Sequence, residues 1–247
     1  MTPTLDPTKL NNPVHAARCL WQGLALLARP ELRHFVWMPL LLNLCLYALG
    51  LWAIRHYFDA AMAYLLPAWL DWVRWLLWPL VAGSFIALMF FSFTLLANLL
   101  GAPFYGILAE KTAVLLGLPA AAEAQQSWTR AAWLSLAAES ARLRYYLVRA
   151  VPALLLFVIP GVNVLAPLVW LVFNGWFLML EYTSYPLERY GCGFPEQRRL
   201  LGKARIGATG YGVLVALGLA VPLLNVLMPP AAVAGAVAYI AGARREA

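Results

Sequence analysis

The sequence predicts an all-α integral membrane protein with two full transmembrane helices, two re-entrant half-spanning helical hairpins, and amphipathic helices at the membrane interface. Three observations carry that expectation. Of the 247 residues, 63% are hydrophobic and only 12% are charged, against about 45–50% and roughly 25% in an ordinary soluble domain. That leaves too little polar surface to cover a globule of this size. Four long stretches contain no Asp, Glu, Lys, Arg or His, and two of the four are broken near their centres by one shared proline-bounded pattern. Residues 1–247 read as a single membrane domain.

The elements follow in order. Within residues 13–28, Val14, Ala17, Trp21, Leu24 and Ala28 share one helical face, and His15, Arg18 and Gln22 another. That pattern predicts an amphipathic helix lying at the membrane surface. Residues 1–12 carry Asp6 and turn-forming residues rather than a leader-like apolar run, so no cleavable signal is expected there. The first uncharged stretch, Phe35–Ile54, reaches about 30 Å as a helix, the depth of a bilayer core. Pro39 falls early in it, where proline is tolerated. The second, Trp75–Ala109, exceeds one crossing. Trp69, Trp72, Trp75 and Trp78 mark its entry as an interfacial aromatic belt. Asn98-Leu-Leu-Gly-Ala-Pro103 reads as a helix stop or bend, placing the second transmembrane helix at 75–100.

The third and fourth stretches, Ala150–Leu180 and Ile206–Ala243, contain Pro160-Gly-Val-Asn-Val-Leu-Ala-Pro167 and Pro222-Leu-Leu-Asn-Val-Leu-Met-Pro229. Both fit P-x-x-N-V-L-x-P, 62 positions apart, as an internal repeat of one structural unit would. The arms on either side reach only about 20 Å as helices, short of a bilayer core. Two re-entrant hairpins, 147–180 and 210–242, are therefore expected, each entering and leaving on the same side. Turn backbone at bilayer depth has to be buried in protein or line a wet cavity. Asn163 and Asn225 are expected to close the two turns through their side chains.

Charge supports this topology. Lys and Arg number 4 before the first span, 2 in 55–74, 5 in 110–149, 5 in 181–205 and 2 at the C-terminus. With two hairpins, every arginine-rich segment falls on one side, which the positive-inside rule makes cytoplasmic, together with both termini. The formal charge of +7 therefore points to a basic membrane face rather than to nucleic acid. Residues 127–149 mix Trp128, Trp133, Leu136 and Leu143 with Arg130, Glu139, Arg142, Arg144 and Arg149, a basic face that snorkels toward lipid headgroups.

Catalytic chemistry is not specified. His15, His34 and His56 lie far apart, and Cys19, Cys45 and Cys192 read as buried free thiols. Neither a metal-ligand spacing nor a nucleophile motif occurs, so no enzyme, metal or cofactor is expected. Anion chemistry is better represented. In Ala28-Arg-Pro-Glu-Leu-Arg-His-Phe35, backbone N–H groups at a helix N-terminus would meet Arg29, Arg33 and His34. That is a fit site for a tetrahedral oxyanion. The same arginines also suit lipid phosphate.

Several dispersed segments carry a resemblance. They are Arg33-His-Phe-Val-Trp-Met-Pro-Leu-Leu-Leu-Asn43, Leu76-Leu-Trp-Pro-Leu80 and Ala97-Asn-Leu-Leu-Gly-Ala-Pro-Phe-Tyr-Gly-Ile-Leu-Ala-Glu110, then Ile159-Pro-Gly161 with Ala166-Pro167. Tyr185-Pro-Leu187 with Phe194-Pro-Glu196, and Val221-Pro-Leu-Leu-Asn225 with Met228-Pro229, complete the set. In that order they resemble the CysZ family of bacterial inner-membrane sulfate transporters over nearly the whole chain. The resemblance implies sulfate uptake across the inner membrane to supply assimilation into cysteine, and a homo-oligomer. It also implies a sulfate site at Glu31, Leu32, Arg33 and His34, where the family looks to carry Gly-Leu-Arg and a basic residue. Glu31 replaces the glycine, which sets a carboxylate beside the anion. On this reading the sulfate pathway starts near Arg33 and is lined by Asn43, Asn163 and Asn225. A transporter of sulfite, thiosulfate or molybdate, and a non-transporting membrane scaffold, remain alternatives.

Overall fold

The computed structural model describes residues 4–65, 74–118 and 128–244. Every regular element among them is a helix: α1 (Pro7–Leu10), α2 (Pro13–Leu26), α3 (Pro30–Leu65), α4 (Arg74–Leu115), α5 (Trp128–Leu155), α6 (Ala166–Glu188), α7 (Phe194–Leu201), α8 (Arg205–Leu219) and α9 (Pro222–Gly242). An isolated bridge joins Leu5 to Arg244, beside a bond from the Asp6 N–H to the Ala243 carbonyl at 2.7 Å. The chain divides into two compact units, one of Met1–Arg33 with Tyr105–Ala247 and one of His34–Phe104.

The unit His34–Phe104 holds most of α3 and α4, helices of 36 and 42 residues. Phe35 meets Phe104 edge-on at 4.7 Å between ring centres, tying the start of one helix to the far part of the other. Along these helices Trp37, Met38, Leu41, Leu44, Trp52, Trp75, Trp78 and Leu80 are all more than half exposed. Water penalises such a surface, whereas lipid, as apolar as the side chains themselves, does not. Of the stop or bend expected at 98–103, the stop does not form. Helix α4 continues through Pro103 to Leu115, since one proline removes a single rung from a long ladder. Trp69 and Trp72 lie outside the described residues.

The larger unit is built around α9, whose residues Ala231–Ile240 are all buried. Among the described residues, Leu224–Gly242 is the segment long and apolar enough to cross a membrane, and 67% of it is buried within the protein. Helix α2 packs on one side of it, and α6 and α8 on others. Small residues set these approaches: Gly23 of α2 lies against Ala231 and Gly235 of α9, and Gly212 of α8 against Gly175 of α6. Two tyrosines then fix the assembly with their hydroxyls. Tyr211 donates to the Ala232 carbonyl at 2.6 Å, and Tyr239 donates to the Leu10 carbonyl.

Helix α2 buries in protein a face that the sequence pattern did not mark. It starts where expected, the Asn12 side chain accepting from the Val14 and His15 N–H groups at 2.9 and 3.3 Å. The face it buries in protein, however, is Ala16, Cys19, Leu20, Gly23 and Leu26. Val14, Ala17, Trp21 and Ala28, expected as its apolar face, are exposed, and Leu24 is half-buried. Close approach to α9 selects small residues, so the tighter face is not the one with the largest apolar side chains.

Both proline-bounded segments lie at junctions between packed helices, but they differ. Residues 156–165 form the turn between α5 and α6, with Gly161 at φ 84°. Here the backbone closes the turn: the Asn163 N–H donates to the Ile159 carbonyl at 3.0 Å, and the Ala166 N–H to the Asn163 carbonyl at 3.2 Å. The Asn163 side chain is exposed and is not needed for closure. In the second copy the break sits at Ala220–Val221, and α9 begins at Pro222 and runs through Pro229 and Pro230. Val221 takes the extended conformation that precedes a proline, and Pro222 occupies the first helical position, where a missing N–H costs nothing. Asn225 thus lies in the opening turn of α9, its N–H bonded to the Val221 carbonyl at 2.8 Å.

Candidate anion-binding site

The segment joining α2 to α3 is a tight turn. The Arg29 N–H donates to the Leu26 carbonyl at 3.0 Å, and the Arg29 carbonyl accepts from both Leu32 and Arg33, at 3.0 and 2.9 Å. Pro30, with its fixed φ and no N–H, opens α3. The expected row of free backbone donors is therefore mostly spent: of the first helical positions, only the Glu31 N–H is not engaged by Arg29 or absent. Glu31 also puts a carboxylate in the first turn, where it complements the helix dipole.

Side chains divide clearly at this junction. Leu32 is fully buried, while Arg29, Glu31, Arg33 and His34 are exposed. No ion pair joins Glu31 to Arg29 or Arg33 among the described residues. Arg33 is the last residue of one compact unit and His34 the first of the other. His34 lies against Phe35 with ring centres 4.1 Å apart. Of the asparagines expected along a pathway, Asn43 belongs to α3 and its side chain lies outside the described set. Asn163 and Asn225 are exposed at two different helix junctions.

The larger unit contains polar contacts that sequence spacing did not reveal. Arg189 pairs with Glu110 at 3.4 Å, the arginine side chain almost wholly buried, and Arg142 reaches Glu188 at 4.0 Å. Glu110 sits beyond the stop expected at 98–103. It lies inside α4, which runs past that stop. Helix α7, unanticipated within the basic segment 181–205, is held by buried Gln197, whose amide donates to the Leu180 carbonyl and to Thr183 Oγ1 at 3.0 Å. Its Phe194 ring packs against Tyr145 of α5 at 5.6 Å. Tyr145 in turn accepts a hydrogen bond from Trp176 Nε1 at 3.2 Å.

A family model described as "Sulfate transporter CysZ/Etoposide-induced protein 2.4" matches residues 19–230. The chain belongs to this family. The CysZ/Etoposide-induced protein match runs from the middle of α2 into α9, so it includes the Glu31–His34 segment and both helix junctions. A relative named Sulfate transporter CysZ from Pseudomonas aeruginosa is 35% identical over 232 residues, 89% of this chain and 92% of that protein. Proteins of the same name from Pseudomonas fluorescens and Pectobacterium atrosepticum are 36% and 34% identical, over 89% and 87% of this chain and 90% and 80% of their own lengths.

Proposed function

We propose that this protein carries sulfate across a membrane. The observation that supports it most is identity of 34–36%, over 87–89% of the chain, to relatives named as sulfate transporters. The family name speaks for transport rather than catalysis.

The finer reading follows from the helices. Segments 35–54 and 75–100, inside α3 and α4, cross the bilayer. The pairs α5–α6 and α8–α9 enter and return on one side. Helix α8 has 15 residues and is therefore about 22 Å long, too short to span; α9, with 21 residues, is long enough to cross alone, but it starts at the tip that α8 reaches and so returns to the side α8 came from. The apolar part of α6, Ala166–Leu180, has about the same reach before Glu181. Both tips are apolar and exposed: Val158, Ile159, Val162, Val164 and Leu165 on one, Val221, Leu224 and Val226 on the other. Charged residues gather at the opposite ends of the same helices, in Arg142, Arg144, Glu181, Glu188, Arg189 and Arg205. A hairpin with an apolar tip and a charged base is built for one-sided insertion. The bases and both termini then face the cytoplasm of a bacterial inner membrane, several copies assemble, and the sulfate feeds assimilation and cysteine synthesis.

Within this reading sulfate meets the protein at Glu31, Leu32, Arg33 and His34, and passes Asn43, Asn163 and Asn225. Uptake of radiolabelled sulfate into proteoliposomes containing only this protein is the test. Uptake above empty liposomes, blocked by excess cold sulfate, is the expected result. No uptake by folded protein overturns the reading in favour of a scaffold. Block by molybdate, sulfite or thiosulfate at far lower concentration than by sulfate shifts it to another oxyanion.

A further inference from the structure

A cavity of about 340 Å³ lies between α5 and α7, away from the Glu31–His34 segment. Its walls include Arg144, Tyr145, Val148 and Arg149 from α5, and Phe194 and Arg198 from α7. On α5 these residues recur at helical spacing, so one face supplies two arginines and their aromatic partner. Arg149 stacks on the Tyr145 ring at 3.7 Å and Arg198 over the same ring at 5.0 Å. Tyr145 is itself held by Trp176, Phe177 and Phe194. The guanidiniums are thus drawn together on a fixed ring, and no carboxylate is among the lining residues. Three cations on one small cavity repel one another until an anion enters.

The apolar side of the cavity says which anion. Val148, which lines it, continues along α5 into Val151 and Leu155, all more than half exposed and all toward the hairpin tip. A free oxyanion has no use for that strip, whereas an acyl chain does. We propose that this cavity binds the phosphate of an anionic glycerophospholipid from the cytoplasmic leaflet, with Arg144, Arg149 and Arg198 around the headgroup and one acyl chain along Val148, Val151 and Leu155. Basic pockets at the cytoplasmic ends of membrane helices hold such headgroups elsewhere, and planar guanidiniums suit phosphate oxygens. This site is separate from the sulfate pathway and rests on the proposed insertion of the helix pairs with their charged ends toward the cytoplasm.

The test is native mass spectrometry of the full chain in mild detergent, with phosphatidylglycerol or phosphatidylcholine added. The wild type is expected to retain phosphatidylglycerol at least tenfold better than phosphatidylcholine. Arg144→Gln, Arg149→Gln and Arg198→Gln should each weaken retention about fivefold, the effect of one basic residue at a lipid surface. Arg198→Lys should keep most of it, and Arg199→Gln, a neighbour on α7 that does not line the cavity, all of it. If the stacked arginines prove necessary for folding, Arg144→Gln remains decisive, because its side chain has no ring or ion-pair partner among the described contacts. Equal retention of the two lipids, or unchanged retention in Arg144→Gln, overturns the proposal. So does displacement of phosphatidylglycerol by millimolar sulfate, which would make the cavity a site for the free oxyanion.

Discussion

A Cβ added at Gly212 would stand 1.7 Å from the Gly175 carbonyl oxygen and 2.6 Å from its carbon. Neither atom belongs to a side chain that rotates aside. Carbon and carbonyl oxygen in contact normally lie about 3.3–3.6 Å apart, so Gly212→Ala forces α8 and α6 to separate by roughly 1.6–1.9 Å at their crossing. A gap of 0.5–1 Å already forfeits about a quarter to a half of each dispersion contact. The cost therefore sits at the upper end for overpacking, about 3 kcal/mol. Gly106→Ala is the matched control, since nothing lies within 4 Å of its Cβ, and alanine favours a helix by about 1 kcal/mol over glycine. For a chain of this size, about 3 kcal/mol lowers the melting temperature by roughly 6–12 °C. Thermal unfolding of the detergent-solubilised protein, followed by loss of the monodisperse chromatographic peak, reads the difference. Gly175→Ala should behave as Gly212→Ala does, its Cβ falling 2.5 Å from Val213 Cγ2 and 2.8 Å from the Val213 nitrogen. If Gly212→Ala and Gly106→Ala melt together, the crossing is not the tight contact that orders the two helix pairs.

Arg33→Ala should weaken sulfate binding about tenfold in a calorimetric titration, the loss of one charge-assisted hydrogen bond, while leaving assembly unchanged; Glu31→Gln should strengthen binding several-fold by removing a like charge. Glu110→Gln leaves the largely buried Arg189 without its carboxylate and should destabilise by about 1–2 kcal/mol, less than a fully buried pair because Glu110 is partly solvated; a double-mutant cycle with Arg189→Gln measures the coupling. His15, beside Tyr239 at 5.5 Å, has its pKa lowered, chiefly by burial, against a backbone hydrogen bond with Tyr239 that raises it, with Lys9 and Arg18 adding to the lowering. Because the folded pKa lies below the unfolded one, the unfolded chain binds more protons, so this contribution is complete above about pH 6.5 and lost as pH falls below it. His15→Gln should flatten the acid side of the melting profile; an unchanged profile removes His15 as the cause.

The all-α class was legible because bilayer thickness and charge exclusion act on the sequence directly. The first two uncharged runs lie inside α3 and α4, the third crosses from the end of α5 through a turn into α6, and the fourth covers α8, its junction and α9. What could not be read was which face of each helix meets protein. For α2 the pattern marked an apolar face with Trp21 and Leu24 for the membrane surface, and held no sign of the protein-facing side, where Gly23 fits beside Gly235 of α9. In lipid, large apolar residues gain nothing by turning inward, so hydrophobic periodicity loses its power to orient a helix. The proposed sulfate site rests on a contiguous motif alone, Glu31 to His34. Arg144, Arg149 and Arg198 come together through α7, a short helix fixed by one glutamine, and a spacing rule applied to α5 alone has no access to that partner.

The repeated octapeptide shows how one residue divides two otherwise similar outcomes. Both copies open with a proline that ends or starts a helix and both hold Asn-Val-Leu at the same offset. In the first, the residue after the proline is Gly161, which takes φ 84° and turns the chain for several residues before α6 begins. In the second, that residue is Leu223, and a left-handed conformation there would set its Cβ against the following carbonyl. With that route closed, the chain after Pro222 takes the right-handed helix that proline already favours at a first position, and α9 starts immediately. The turn is thereby shortened to Ala220 and Val221, and Asn225 moves from a loop into a helix. Replacing Leu223 with glycine removes the steric bar but not the packing of α9, whose buried run begins only at Met228. The opening turn of α9 is therefore the part expected to loosen. Faster amide exchange confined to residues 223–227, with protection kept from Ala231 onward, is the predicted signature; loss of protection throughout α9 would mean that the opening turn, and not the core, nucleates the helix.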